Sequence, residues 1–234
     1  YPSLYSVAVP SQTVTAGPAI SRRRRQGEVT ALNGLTFSLG EGEFAAMIGP
    51  SGCGKSTVLS LAAGILKPSA GKVTRKGSIG YMLQRDELFP WRTIEKNLYL
   101  PLEVQKKNTP ARRARALELA EKYGLSGFLK RYPSELSGGM RQRAALIRTL
   151  VMEPDILLLD EPFSALDYQT RLKVASDVSR ILRSEQKAAL LITHDISEAV
   201  SLADRIFVLT ARPARLLASH ETDFLSPDPL KRRE

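Results

Sequence analysis

Gly49-Pro50-Ser51-Gly52-Cys53-Gly54-Lys55-Ser56 follows the apolar run Phe44-Ala45-Ala46-Met47-Ile48 and precedes a helical pattern, and this junction decides how the chain is read. The apolar run has the character of a strand buried on both faces of a parallel sheet. From Ser56 to Leu66 the spacing places Val58, Leu61, Ala62 and Ile65 on one helical face, and Pro68 is expected to stop that helix. The glycine-rich segment between them satisfies G-x-x-x-x-G-K-[ST]. Its glycines let backbone N–H groups turn inward around phosphate oxygens, and the helix N-terminus adds its dipole. Lys55 supplies a point charge for the β- and γ-phosphates, and the Ser56 hydroxyl suits Mg²⁺. Cys53 occupies a variable position of the pattern and is not read as a catalytic thiol, because no histidine-based activation is apparent nearby.

Further strand signals follow. Ile156-Leu157-Leu158-Leu159 runs directly into Asp160-Glu161-Pro162, and Ala188-Ala189-Leu190-Leu191-Ile192 runs into Thr193-His194-Asp195. Acidic residues at the carboxyl end of a strand in an open α/β sheet lie beside bound phosphates. Asp160 therefore suits Mg²⁺ coordination, and Glu161 suits polarising an attacking water. A lone histidine is more often structural than catalytic. At a strand end in a chain that also carries Lys55 and Glu161, His194 is read as a γ-phosphate contact. Gln84 follows the short strand Ile79 to Leu83, and its side-chain carbonyl is expected to reach Mg²⁺ and the attacking water. Ile206 to Leu209 is another strand, and a helix between Ala165 and Ser184 fits a crossover between parallel strands.

Residues 85–152 read as mostly helical. Thr109-Pro110 starts a helix, with Ala114, Leu117 and Ala120 as its apolar face and Gly124 as its end. Met140, Ala144, Ile147 and Val151 form a stripe on another helix that Ser137 can cap.

The 234 residues fit one α/β domain with room for a subdomain, and 43% hydrophobic content supports a real core. No stretch approaches the roughly 20 consecutive apolar residues of a membrane span. The opening from Tyr1 to Ser21 has neither the basic start nor the apolar centre of a signal peptide. The chain starts at Tyr1 rather than Met, as a fragment or a trimmed chain would. Cys53 is the only cysteine, which fits a reducing, cytosolic setting. A net charge of +10 favours anionic partners such as nucleotide, anionic lipid or nucleic acid. Arg22-Arg23-Arg24-Arg25 is read as a solvated run, with lipid head groups as the alternative contact.

Taken together these residues resemble the nucleotide-binding subunits of ABC transporters, in order and spacing, from about Gly27 to about Arg212. Gly49 to Thr57 looks like the Walker A loop of that family and Gln84 like its Q-loop glutamine. Leu136-Ser137-Gly138-Gly139-Met140-Arg141-Gln142-Arg143 resembles the signature that separates ABC proteins from other P-loop NTPases. Ile156 to Glu161 looks like Walker B with its catalytic glutamate, Ser164-Ala165-Leu166-Asp167 like the D-loop, and His194 like the switch histidine. Leu88-Phe89-Pro90-Trp91-Arg92-Thr93 and the stretches around Glu161 and His194 are similar to the nitrate/sulfonate/taurine importer group.

The resemblance implies a P-loop NTPase core with a mostly parallel sheet, an antiparallel edge sheet and an inserted helical subdomain at about 85–152. The domain limits it suggests are a flexible basic segment over 1–26, the ATP-binding domain over 27–212 and a tail over 213–234. It implies ATP and Mg²⁺ as cofactors, with Gly49, Pro50, Ser51, Gly52, Cys53, Gly54, Lys55, Ser56 and Thr57 on the nucleotide. Ser56, Gln84 and Asp160 would hold the metal, and Glu161, His194 and Gln84 would serve hydrolysis. Ser137, Gly138, Gly139 and Asp167 would serve the ATP of a second copy in a head-to-tail dimer. The implied partners are transmembrane permease subunits and, indirectly, an extracytoplasmic solute-binding protein, at the cytoplasmic face of the membrane. Phe89 and Trp91 are read either as part of the link to the permease or as ordinary core aromatics.

Three departures from the family stand out. No aromatic lies between Tyr5 and Phe37, where the family stacks adenine, so an arginine plane would have to substitute; nor is the first edge strand evident in residues 7–21. Lys55 to Gln84 also reads as a shortened stretch with a trimmed β-hairpin. A soluble ABC-type ATPase acting on nucleic acid is the alternative suggested by charge. The single motif set and the short distance from Lys55 to Asp160 weigh against it, so no nucleic acid is expected. A non-hydrolysing regulatory subunit is disfavoured by the intact Glu161 and His194.

Overall fold

In the computed structural model, residues 5–9, 30–164 and 166–222 are described. The chain runs β1 (Tyr5–Val9), β2 (Leu35–Leu39), β3 (Phe44–Ile48), α1 (Lys55–Ala63), β4 (Lys72–Arg75), β5 (Ile79–Met82), α2 (Ile94–Val104) and α3 (Pro110–Lys122). It continues through α4 (Gly138–Leu150), β6 (Ile156–Asp160), α5 (Tyr168–Ser184), β7 (Ala188–Ile192), α6 (Ile196–Leu202), β8 (Arg205–Leu209) and β9 (Leu216–Glu221). Two sheets result, ordered β2-β1-β4 and β5-β6-β7-β3-β8-β9. The first is antiparallel throughout, and the second is parallel except for β9 at its edge.

The central strands are apolar without interruption because both of their faces are covered. Alternate residues serve alternate sides. Phe44 and Ala46 of β3 join Leu157 and Leu159 of β6 in a core shared with α2, α4 and α5. Ala45 and Met47 join Ile156 and Leu158 in a second core under α1. The registers Met47↔Ile192 and Asp160↔Ile192 bring the carboxyl ends of β3, β7 and β6 side by side. The backbone N–H of Glu161 then donates to the Ile192 carbonyl at 2.9 Å, which carries the alignment one residue past the strands.

Several expectations shift. The helix expected to reach Leu66 ends at Ala63, because Gly64 takes the left-handed conformation at φ 76° and its N–H caps the last turn. In α3 the buried face is Ala116, Leu119 and Ala120, not Ala114, Leu117 and Ala120. Leu117 is 37% exposed, since the packing against α2 and α4 selects the neighbouring ridge.

The segment 1–26, expected to be flexible, contains β1, which pairs with β2 on one side and β4 on the other. Arg22 to Arg25 lies outside the described residues. The shortened hairpin is absent: β4 joins the three-stranded sheet while β5 joins the large one. The tail expected from 213 contributes β9, which pairs with β8 and carries the sheet to Glu221. Between 85 and 152 lie α2, α3 and α4, with short turns at Ser126–Phe128 and Pro133–Glu135. No helix among the described residues is long and apolar enough to cross a membrane.

Candidate functional site

α1 begins at Lys55, directly after Gly54 at φ 121°. A Cβ on Gly54 would stand 3.1 Å from Leu32 Cδ2 and 3.3 Å from the Ala31 carbonyl oxygen, so only glycine permits this approach. No side chain caps the helix, which leaves its first N–H groups free to bind an anion. The buried Lys55 ammonium donates to the carbonyl oxygens of Gly49 and Pro50 at 2.8 and 3.0 Å. Cys53 is buried, and its Sγ packs under Gly49, so the thiol is a packing group rather than a nucleophile. A cleft of about 410 Å³ opens here, bordered by Ser51, Gly52, Gly54, Lys55, Ser56 and Thr57 on one side. Gln84, Asp160, Glu161 and Arg212 complete its walls.

Asp160 Oδ1 accepts from the Ser56 hydroxyl at 3.3 Å and Oδ2 accepts from the Tyr81 hydroxyl at 3.4 Å. Burial pushes the Asp160 carboxyl above the usual carboxylate range, against the opposing effect of those two hydrogen bonds. The Tyr81 hydroxyl is pushed up to about 12, first by burial and then by the Asp160 charge.

Glu161 sits at φ 43°, a conformation that costs a non-glycine residue about 1–3 kcal/mol and that is concentrated at functional sites. Its Oε2 lies 3.2 Å from His194 Nδ1 and 3.4 Å from Gln84 Nε2. Gln84 Nε2 also donates to the Ser164 hydroxyl at 3.2 Å, and that hydroxyl donates to the Glu161 carbonyl at 3.0 Å. The amide nitrogen of Gln84 faces the carboxylate.

The structure thus brings Lys55, Ser56, Gln84, Asp160, Glu161 and His194 together. Ser137, Gly138, Gly139 and Asp167 do not border this cleft. Ser137 caps α4, its exposed hydroxyl oxygen accepting from the Met140 N–H at 3.3 Å. That leaves the hydroxyl proton available to another acceptor. Gly138 and Gly139 admit close packing: a Cβ on Gly139 would stand 2.7 Å from Val174 Cγ2, and one on Gly138 would stand 2.9 Å from Leu166 Cδ2. Asp167 caps α5 through the Thr170 N–H at 3.1 Å.

Phe89 and Trp91 stack with ring centres 5.0 Å apart, and Trp91 is 71% exposed, so it is not a core aromatic. The buried Asn97 holds this turn, accepting from the Phe89 N–H at 2.7 Å and donating to the Phe89 and Arg92 carbonyls. Three neighbours of the cleft escaped the sequence reading. Tyr81 lies on the strand that leads to Gln84 and had that position as a signal. Ser164 lies in the turn after Glu161, and Arg212 reaches the cleft from the loop after β8.

A sequence model of the family described as ABC transporter matches residues 32–164. The uncharacterized ABC transporter ATP-binding protein YtlC of Bacillus subtilis is 48% identical over 197 residues, 81% of this chain and 76% of that protein. The aliphatic sulfonates import ATP-binding protein SsuB of Bacillus licheniformis is 43% identical, over 81% of this chain and 76% of its own length. The taurine import ATP-binding protein TauB of Burkholderia pseudomallei is 40% identical, over 86% of this chain and 80% of its own. Among solved structures, the dimeric ATP-binding cassette MJ0796 in a post-hydrolysis state bound to ADP and Pi is similar with a TM-score of 0.75 and 28% identity. That match covers 94% of this chain and 100% of the other.

Proposed function

The chain belongs to the ABC transporter family, and on that premise we propose that it is the ATP-hydrolysing subunit of an importer. The observation that carries this reading is the convergence of Lys55, Ser56, Gln84, Asp160 and Glu161 on one cleft, with His194 against Glu161. In this reading Gly49 to Thr57 wraps the phosphates of ATP with backbone N–H groups, and Lys55 turns its ammonium from the Gly49 and Pro50 carbonyls to the β- and γ-phosphates. Glu161 accepts a proton from the attacking water, Gln84 positions that water, and His194 holds the Glu161 carboxylate and contacts the γ-phosphate.

Mg²⁺ fits the donors present. The Ser56 hydroxyl and the Asp160 carboxylate are hard oxygen ligands that face one another in the cleft. When bound, the ion neutralises charge on the β- and γ-phosphate oxygens.

Ser137 and Asp167, both exposed and outside their own chain's cleft, support a head-to-tail pairing in which each ATP lies between two copies. ATP closes the pair, and hydrolysis reopens it. The exposed Trp91, stacked on Phe89, supports contact with a membrane permease, which would hold the protein at the cytoplasmic face of the membrane. An extracytoplasmic binding protein would deliver a small solute of the sulfonate, taurine or nitrate kind, in keeping with the names of the relatives. No relative named above supports action on nucleic acid.

The test is phosphate release and particle size with ATP and Mg²⁺, for the wild type and Glu161→Gln. The expected outcome is release by the wild type, and in the variant an ATP-dependent dimer whose release is at least about a hundredfold slower. Undiminished release by Glu161→Gln would sink the role given to Glu161.

A further inference from the structure

Arg171 lies in the first turn of α5, between two segments that no sequence motif connects. Its Nη2 donates to the Leu166 carbonyl at 3.0 Å, in the turn that ends at Asp167. Its Nη1 stands 3.5 Å from Asp195 Oδ2, on the residue that follows His194 and caps α6. Its Nε stands 3.8 Å from Glu198 Oε1. Glu198 is buried, 3% exposed, and its Oε2 accepts from the Thr193 hydroxyl at 2.6 Å. The same Thr193 hydroxyl accepts from the Asp195 N–H at 3.0 Å. One guanidinium therefore spans the Asp167 turn and both residues that flank His194, reaching Asp195 directly and Thr193 through Glu198. The Leu166 contact is a hydrogen bond and the two carboxylates are reached as ion pairs, the Nε–H making no hydrogen bond; the extended guanidinium still meets all three at once, whereas an ammonium is a single point charge.

We propose that Arg171 is a positioning residue for hydrolysis. It ties the Asp167 turn, offered to the second copy, to the segment that holds His194 against Glu161. Closure of the pair is then felt at the hydrolytic carboxylate without Arg171 touching nucleotide. The inference rests on the roles given above to Asp167, Glu161 and His194.

A purely structural rival exists, in which Arg171 does no more than offset the buried Glu198 charge. Three variants of the whole chain separate the two: Arg171→Gln, Glu198→Gln and the double variant. Each is measured for Tm, for ATP affinity with a fluorescent nucleotide, and for kcat at saturating ATP and Mg²⁺. Arg171→Gln strands the Glu198 carboxylate and is expected to lower Tm, while the double variant removes that charge and recovers it. ATP affinity is expected to stay within about twofold throughout. The double variant is expected to keep a kcat about tenfold or more below that of Glu198→Gln alone. A kcat that recovers together with Tm would overturn the proposal, as would wild-type turnover in Arg171→Gln. Arg171→Lys gives a folded check that keeps the charge; its kcat is expected to fall as well, and wild-type turnover there would also overturn the proposal. Absence of hydrolysis by the wild type would instead defeat the functional reading on which the inference rests.

Discussion

His194 Nδ1 stands 3.2 Å from Glu161 Oε2, joining the ends of two adjacent parallel strands, one residue past β6 and two past β7. Glu161 needs this partner because its backbone is held at φ 43° and its side chain projects into the cleft. A carboxylate aimed by one imidazole and one amide is prepared for proton transfer before any water arrives. His194→Ala is therefore expected to lower kcat about a hundredfold while ATP affinity changes little. The check is a steady-state phosphate assay beside equilibrium nucleotide binding; a change confined to affinity would count against it.

On the proposed function, Lys55 serves binding rather than proton transfer. Replacing it by Ala removes charge-assisted hydrogen bonds, each worth about 1.5–3 kcal/mol, so ATP affinity should fall about ten- to a hundredfold. Calorimetric titration measures this directly. Unchanged affinity would mean that the ammonium stays on the Gly49 and Pro50 carbonyls when nucleotide is present.

Gly139 combines two demands in one residue. It belongs to the signature turn, and its missing side chain lets α4 meet α5 at Val174. Gly139→Ala forces a methyl to 2.7 Å from Val174 Cγ2 and is expected to cost about 1–3 kcal/mol, read as a drop in denaturant midpoint. Gly127→Ala, where nothing lies within 4 Å, serves as the contrast and should lie close to wild type.

Asp160 makes stability depend on pH in a defined direction. Burial raises its carboxyl in the folded state, so the folded protein holds a proton that the unfolded chain has released. Its contribution therefore worsens as pH rises from the ordinary carboxylate range through the raised folded value. Asp160→Asn removes that dependence. Its Tm relative to wild type, without nucleotide, is expected to increase between acid and neutral pH, even though on the proposed function the variant loses a metal ligand and hydrolysis. A Tm difference that is flat or reversed over that range would contradict the account.

Local periodicity made some elements plain and left others invisible. Phe44–Ile48 and Ala188–Ile192 were legible to the residue, because strands buried on both faces are apolar runs with sharp ends. The residues of the glycine-rich wall of the cleft were legible because their spacing is set within a single turn, as in Gly49 to Ser56. Helix faces were less so: Leu117 lies beside the true stripe in α3, and only the packing against α2 and α4 separates the two. β1 escaped because pairing with Leu35–Leu39 and Lys72–Arg75, both distant in sequence, makes Tyr5–Val9 a strand. Arg171 and Arg212 escaped for a related reason, since each meets its neighbours through loops whose course depends on the completed sheet.

The order β2-β1-β4 gives the small sheet an unusual history during synthesis. The strand made first occupies the middle. Tyr5–Val9 gains one of its partners only when Leu35–Leu39 has been made, and the other only when Arg75 has emerged. By then β3 and α1 have already been made, so the glycine-rich turn between them precedes completion of the sheet beside it. Long-range pairing of this sort is slow and leaves a strand edge uncovered while it waits. Completion of this small sheet therefore waits on the nascent chain for its last strand.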